Sequence, residues 1–329
     1  TAWIDESYIL PIKNETTTTK QTNEETYKFK VKVVGVDSPI TIEEKMQVPT
    51  GVDTLIALTN NKDNSGLYTI THKADSTLQI GTNEDITEYR YRGANPKNYV
   101  TFNNETWRII GIFPTDDGTG KIENRIKLIK DQSIGNKYWD TSGSNNWAMP
   151  ATLNTELNTT YLNSLTSETQ NMIGNTKYYL GGKEPTYNDG YVDTPLQFYS
   201  YERKINGSDY YNGSNPNNWV GKLGLMYVSD YGYASSNCEN KKIFDDSNSS
   251  KDIRACNDTN WLFKNNDEWI LPQDASRSGY AFFVRSGGDV GCGFLSLLQY
   301  GVRPVLYLTS SAKITGGNGT SSSPYTLGL

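Results

Sequence analysis

One histidine, His72, stands in the whole chain of 329 residues. Catalytic triads and metal sites that rely on several histidines are thereby excluded. Cysteine is scarce as well, with three residues. Neither Cys238 nor Cys256 has a histidine or another cysteine close by, so the pair offers no zinc ligand set. No apolar run approaches the roughly 20 residues that a membrane-spanning helix needs. No block of Lys and Arg occurs, and the formal net charge is −6. Electrostatic capture of nucleic acid or of an anionic membrane is therefore disfavoured. Ala and Leu are few.

What the chain has instead is 23 Tyr, 7 Trp and 29 Gly, with abundant Asn, Thr and Ser. Strands favour Thr, Tyr and Val, and turns favour Asn and Gly, so the composition is that of a mainly β, extracellular-type protein. The aromatics are numerous enough to fill a core that the aliphatics alone would leave short. The length fits one large domain or two. The chain opens on Thr1 rather than Met; a removed leader and a boundary set elsewhere are both consistent with that.

Cys238 and Cys256 bracket a polar segment, and a disulfide closing it is the expected arrangement. In the chain-entropy model a loop of this size contributes roughly 3 kcal/mol, and the bond implies an oxidising compartment. Cys292 is left over. It reads as a small buried residue, with a reactive or intermolecular thiol as the alternative. Eight Asn-x-Ser/Thr sites occur, at Asn14, Asn104, Asn158, Asn206, Asn212, Asn248, Asn257 and Asn318. Roughly six would arise by chance in so polar a chain, so they are weak evidence of glycosylation.

Three regions are expected. Residues 1–24 form an extended N-terminal arm, an apolar–polar run followed by a Thr-rich stretch. Its Trp3, Ile4, Tyr8, Ile9, Leu10 and Ile12 are candidate subunit contacts, because an extended segment can add a strand to a neighbour's open sheet edge. Packing of the arm on its own domain is the alternative. Residues 25–84 form a small β region. There Tyr27 to Val33 alternates apolar residues with Lys, as a half-buried strand does, Val52 to Leu58 reads as a short helix or strand, and Gly66 to Ile70 as a strand. Residues 85–329 form the main domain. It opens with a meander of strands at Glu88–Gly93, Tyr99–Phe102, Thr106–Phe113 and Arg125–Lys130, with a tight turn at Asn103-Asn104. Leu153, Leu157, Tyr161 and Leu165 recur every four residues, as on one helical face, and Thr166 is placed to cap a second short helix. Leu223 to Val228 reads as a core strand, and the tail as two edge strands around a glycine turn.

The last third carries a resemblance. Glu268-Trp269 opens a strand, and Tyr280 to Gly288 is aromatic-, Ser- and Gly-rich. Gly301-Val302-Arg303-Pro304-Val305-Leu306-Tyr307-Leu308 then closes the domain. This order resembles the end of C-type-lectin-like folds, in the branch of formylglycine-generating enzymes and the variable proteins of diversity-generating retroelements. Further blocks join it: Tyr89–Gly93 with Asn98–Phe102, Trp107–Gly111, Gly221–Tyr227 with Ser229–Ala234, and Lys313–Gly317. Together they resemble a family of secreted surface proteins of gut-type Firmicutes and Mollicutes-related bacteria, some with a type-IV-pilin-like leader. The resemblance implies an α+β, mainly β chain in which a C-type-lectin-like domain follows an N-terminal β arm. It also implies a pilin-like surface role without catalysis. The long apolar helix that polymerises type IV pilins is missing here, so the arm is the better candidate connector.

The chemistry follows the same lines. Arg285-Ser286-Gly287-Gly288 is similar to an element of formylglycine-generating enzymes, but those need a pair of cysteines near their end and only Cys292 is present. An enzyme with a Cys292 nucleophile is a third and distant reading. Glu184-Pro185-Thr186 and Pro272-Gln273-Asp274 depart from the motifs with which C-type lectins hold calcium and sugar. No cofactor is expected; structural calcium at Asp245-Asp246 or Asp116-Asp117-Gly118 is the alternative to solvated loop carboxylates. Tyr199, Tyr201, Tyr210 and Tyr211, in loops rich in Ser and Asn, are candidate ligand contacts of the kind paratopes use, with core packing as the alternative. Arg285 joins them, because Ser276 to Tyr300 corresponds to the display region of the variable proteins. The expected partners are other copies of the chain in a filament, or a glycan or protein of a host or neighbouring cell. A secreted, cell-surface location follows. The main reading is a filament subunit or adhesin, and the alternative a monomeric ligand-binding module.

Overall fold

The computed structural model describes residues 24–31, 40–47, 49–61, 65–76, 84–183, 193–204, 215–244 and 256–329. The chain divides into two compact units, Thr1–Thr50 and Gly51–Leu329. In the first, β1 (Glu24–Val31) and β2 (Ile40–Gln47) pair antiparallel in unbroken register from Glu24↔Gln47 to Val31↔Ile40.

The second unit begins with a short helix, α1 (Gly51–Ile56). The chain then runs through β3 (Gly66–His72), β4 (Ile86–Arg92), β5 (Tyr99–Phe102), β6 (Glu105–Asp116) and β7 (Ile122–Lys130). The four strands expected over residues 88–130 are present, but not as a simple meander, because β4 and β5 both pair with the long β6 rather than with each other. The start of the domain is a correction too. β3 and β4 pair along their whole length, Gly66↔Arg92 to His72↔Ile86, so a boundary at 84/85 would cut a hairpin; the division falls at Thr50 instead. Asn103 and Asn104 close the β5–β6 hairpin as a two-residue loop between Phe102 and Glu105. Their φ values of 55° and 58° are what a type I′ turn needs, and Asn tolerates them better than most residues.

After β8 (Asn136–Lys137) come the helices. α2 (Thr152–Thr155), a π turn (Glu156–Tyr161) and α3 (Leu162–Ser164) are continuous, and Leu153 and Leu157 are fully buried. Thr166 caps α4 (Ser167–Met172), its hydroxyl accepting the Thr169 amide. β9 (Thr176–Tyr179) and α5 (Pro195–Arg203) follow. Next are β10 (Asn218–Gly221), β11 (Leu223–Gly224) and α6 (Val228–Tyr233). The core strand expected over Leu223 to Val228 is thus only two residues long. The run is apolar on every side because it is buried on every side, a pattern that does not separate strand from helix. The Asp230 carboxylate accepts the Tyr227 amide at 2.8 Å and starts α6 there.

A single 3-10 turn (Asn257–Thr259) leads into the last strands. These are β12 (Glu268–Gln273), β13 (Tyr280–Val284), β14 (Val290–Phe294), β15 (Tyr300–Gly301), β16 (Val305–Tyr307), β17 (Lys313–Gly316) and β18 (Thr326–Gly328). Two sheets result. One has the order β11-β16-β7-β6-β4-β3, with β5 on β6; the other has the order β14-β13-β12-β15-β8. β16 therefore sits inside the larger sheet, paired with β7 through Val305↔Ile129, while β17 and β18 pair with each other as the tail predicts. The architecture is mainly β with short helices.

The core is aromatic. Trp107, Trp139, Trp147 and Trp269 are all buried. Several indoles also bridge elements: Trp139 donates to the Ile270 carbonyl at 3.2 Å, Trp269 to that of Lys137 at 2.9 Å, and Trp261 to that of Tyr91 at 2.9 Å. Buried tryptophans with a partner for the N–H supply apolar area without leaving a donor unmet. Cys238 and Cys256 form the expected disulfide, joining the end of the α6 region to the 3-10 turn. Among the described residues no helix is long and apolar enough to cross a membrane.

Candidate functional site

The site is built around the β13–β14 hairpin. Arg285 to Asp289 form its tip: the Arg285 amide donates to the Asp289 carbonyl at 2.7 Å, and the Gly288 amide to the Arg285 carbonyl at 2.8 Å. Gly288 has φ 92°, a region that side chains other than glycine's occupy with strain. The tip is tied on both flanks. Asn257 donates from Nδ2 to the Gly287 carbonyl at 2.8 Å. On the other side the Ser286 amide donates to Asp267 Oδ1 at 2.8 Å. Arg285 donates from Nη1 to Asp289 Oδ2 at 2.8 Å, and its guanidinium lies so near Gly291 that a Cβ there would meet it at 2.6 Å.

Between these ties lies an open groove of about 900 Å³, lined by Asn257, Phe263, Asp267, Phe283, Arg285 and Tyr300 among others. A second hollow of about 480 Å³ adjoins it across Asp267, Ser286 and Tyr300 and reaches Asp131, Lys264 and Arg303. The floor is aromatic: Tyr300 lies 4.5 Å from Phe283 and 4.7 Å from Trp269, centroid to centroid. Tyr300 is half-buried. Burial, and then the Asp267 carboxylate, raise its hydroxyl above the ordinary tyrosine value, so it stays neutral. The charges at the rim are largely paired. Lys264 donates to Asp131 at 2.9 Å, and the buried Arg303 to Glu268 at 2.7 Å. Burial pushes the Lys264 ammonium below its usual value. Burial raises the Asp131 carboxyl, but the bonds from Lys264 and Gln132 outweigh it and hold the group low.

The groove gathers part of what the sequence singles out. Arg285 lies in its wall, and Phe283, Ser286, Gly287 and Tyr300 come from the Ser276 to Tyr300 segment. Tyr199 and Tyr201 do not belong to it, which corrects their reading as loop contacts. Both sit on α5 and are buried, at 1% and 4% exposure. Tyr199 stacks on the His72 ring at 3.8 Å and lies under the Arg203 guanidinium at 3.4 Å; Tyr201 packs edge-on against Phe198. The Thr194 capping box starts a helix where the polar, Tyr-rich segment suggests a loop. Tyr210 and Tyr211 lie outside the described residues, as do the arm residues Trp3, Ile4, Tyr8, Ile9, Leu10 and Ile12 and the pair Asp245-Asp246.

Asn257, Phe263, Asn265 and Asp267 were not legible as site residues. The one local signal is the polar turn that precedes the Trp269 strand, and nothing in its spacing ties it to the hairpin tip. Asp116 and Asp117, the other candidate cation ligands, accept the amides of Gly118, Gly120 and Thr119 and close the β6–β7 turn. Among the described residues no group of three or more His, Cys, Asp or Glu is gathered as a metal site would require. Cys292 is half-buried on β14, opposite Phe282.

Apart from the groove, the larger unit holds a buried ionic network. His72 faces Glu88 at 3.2 Å, Arg90 joins Glu88 to Asp230, and Lys127 reaches Asp230. Glu202 accepts the Ser229 amide and hydroxyl at 2.9 and 2.5 Å. Burial raises Glu88, yet Arg90, His72 and Arg203 outweigh it and hold the carboxyl below the usual range. Burial pushes Glu202 up to about 7 and Lys127 down to about 8, in each case against the pull of its partners.

No protein-family model, no curated protein and no solved structure matches the chain.

Proposed function

We propose that the larger unit is a C-type-lectin-like binding module of an extracellular surface protein, adhesin-like and non-enzymatic, which takes a glycan or an exposed protein segment of another cell in the groove beside the β13–β14 tip. The observation that carries this reading is the groove itself. An aromatic floor at Tyr300 and Phe283 is rimmed by Asp267, Asn257 and Arg285 on a tip tied from both sides. The half-exposed Tyr300 ring, backed by the buried Phe283, can stack on the apolar face of a sugar or on a side chain, and fixed carboxylate, carboxamide and guanidinium groups bond hydroxyls or backbone. Pre-tied loops bind without a large ordering cost. The disulfide supports an oxidising location.

Ser286 is exposed at the rim, and Ser286→Trp would fill the groove while leaving the floor intact. Wild type and this variant are compared on a glycan array and on cultured host cells. The expected result is binding by wild type and a loss of at least about tenfold, 1.4 kcal/mol, in the variant at unchanged melting temperature. No binding by wild type to any array or cell, or equal binding by both, would overturn the reading.

A further inference from the structure

Lys127 on β7 and Asp230 on α6 lie 103 residues apart in sequence. Their side chains meet with Nζ 2.5 Å from Oδ2, at 0% and 1% exposure. The contact has the components of an acyl transfer as well as of an ion pair. Around Nζ stand the rings of Tyr227 at 4.4 Å, Tyr307 at 5.1 Å and Phe113 at 5.3 Å, walls that exclude water. Burial brings the ammonium down to about 8 in spite of Asp230, so a share of the amine is neutral and nucleophilic near neutral pH. Both carboxylate oxygens already face fixed donors: Arg90 Nη1 lies 3.0 Å from Oδ1, and the Tyr227 amide 2.8 Å from Oδ2. Donors placed this way stabilise negative charge developing on oxygen when the carbonyl carbon is attacked. Glu202, bonded to Ser229 next to Asp230 in the chain, puts a second buried carboxyl within electrostatic reach of Asp230. Burial raises Glu202 to about 7, which suits a group that both takes and gives a proton.

We infer that Lys127 and Asp230 condense into an intramolecular amide that locks β7 to α6. The neutral Nζ attacks Cγ of Asp230; the N–C bond forms and one C–O bond breaks. The departing oxygen leaves as water, carrying the two protons that the ammonium gives up. The opposite charges of the pair cancel, one water is released, and no oxidant, reductant or activated donor is needed. The desolvation penalty of two buried ions, several kcal/mol each in real proteins, is relieved by the same step, and the dry walls oppose the reverse hydrolysis. A second buried pair, Lys183 and Asp193 at 2.7 Å, serves as the internal comparison. The Asp193 carboxylate receives the Tyr201 hydroxyl at 3.4 Å, a longer contact than either donor makes to Asp230. The inference is independent of the binding reading.

The test is the intact mass of the full wild-type chain, denatured and reduced, after incubation at pH 7 to 8. The expected mass is one water below that of the sequence. Digestion should give a branched peptide pair joined through Lys127, with trypsin failing to cut after that residue. Asp230→Ala and Lys127→Met should run at full mass, and Glu202→Gln should lose the water more slowly than wild type. A wild-type chain of full mass would overturn the inference. So would a loss of water that maps to Lys183 and Asp193, or one that mild base reverses, as it does for a succinimide at Asp189-Gly190.

Discussion

Asn257 holds the Gly287 carbonyl through Nδ2 at 2.8 Å, and Gly288 lies so close behind that a Cβ there would meet the Asn257 carboxamide at 2.0 Å. A short helical turn and a hairpin tip thus fit together only because one residue lacks a side chain. Gly288→Ala adds both a clash and a positive-φ penalty. We expect it to cost about 1–3 kcal/mol of stability and to abolish binding in the groove. Asn257→Ala should loosen the tip with a smaller loss, about 1 kcal/mol. Urea denaturation of both variants checks this; midpoints equal to wild type would show that the tip is held by something else.

Arg303 and Glu268 form a buried pair at 2.7 Å, with 1% and 7% of the side chains exposed. Arg303 also donates to the Leu262 carbonyl at 2.7 Å. The pair joins the start of β12 to the run that leads into β16, and so one sheet to the other. Arg303→Met leaves a carboxylate buried without its partner, which costs about 3–5 kcal/mol. The double variant Arg303→Met with Glu268→Met should recover most of that loss. A double-mutant cycle measures it, and additive losses would mean that the two side chains are not coupled.

The strands were legible where polar and apolar residues alternate or a turn is chemically marked, although the polar side chains of Glu88, Arg90, Arg125 and Lys127 prove to be buried and paired rather than wet. Asn103-Asn104 announces its hairpin because few other residues accept two positive φ values in a row. Thr166 announces α4 because a hydroxyl there meets an orphan amide. Legibility fails where burial is complete. Leu223 to Val228 is apolar throughout, and whether it extends or turns is decided by Asp230 at the start of α6. Tyr199 and Tyr201 have a loop-like neighbourhood in sequence, yet their rings lie under Arg203 and against Phe198. His72, flanked by polar residues in sequence, is buried because strand pairing turns it inward toward Glu88. The groove was half legible: its hairpin wall carries a local pattern, whereas Asn257 and Asp267 reach it only through tertiary contacts.

The Cys238–Cys256 disulfide joins residues separated by 18 positions in sequence. The chain-entropy model gives such a loop about 3 kcal/mol. Both cysteines are buried, and Asn237 and Thr259, beside the bridge, are bonded to each other at 3.2 Å. Reduction should therefore lower the melting temperature by several degrees without dissolving the sheets. Calorimetry with and without reductant reads the shift, together with far-ultraviolet circular dichroism. A complete loss of strand signal on reduction at 25 °C would contradict this.

Glu202 and His72 give the stability of the fold two opposed responses to acid. Burial raises Glu202 from the ordinary 4.5 to about 7, so between those values the folded chain holds more protons than the unfolded one. Its contribution is full below about pH 4.5 and is lost as pH rises through 7, by up to about 3 kcal/mol. Burial lowers His72 below 6.5, against the pull of Glu88. The folded chain therefore holds fewer protons there, and stability falls as pH drops below 6.5. Glu202→Gln should leave the chain close to wild type at pH 4.5 and make it progressively more stable than wild type up to pH 8. His72→Gln, which can keep a bond to Glu88, should remove the loss on the acid side. Urea midpoints of the three proteins between pH 4.5 and 8 test both signs. Parallel curves for wild type and Glu202→Gln would mean that this carboxyl titrates alike in the folded and unfolded chains, and that burial does not raise it.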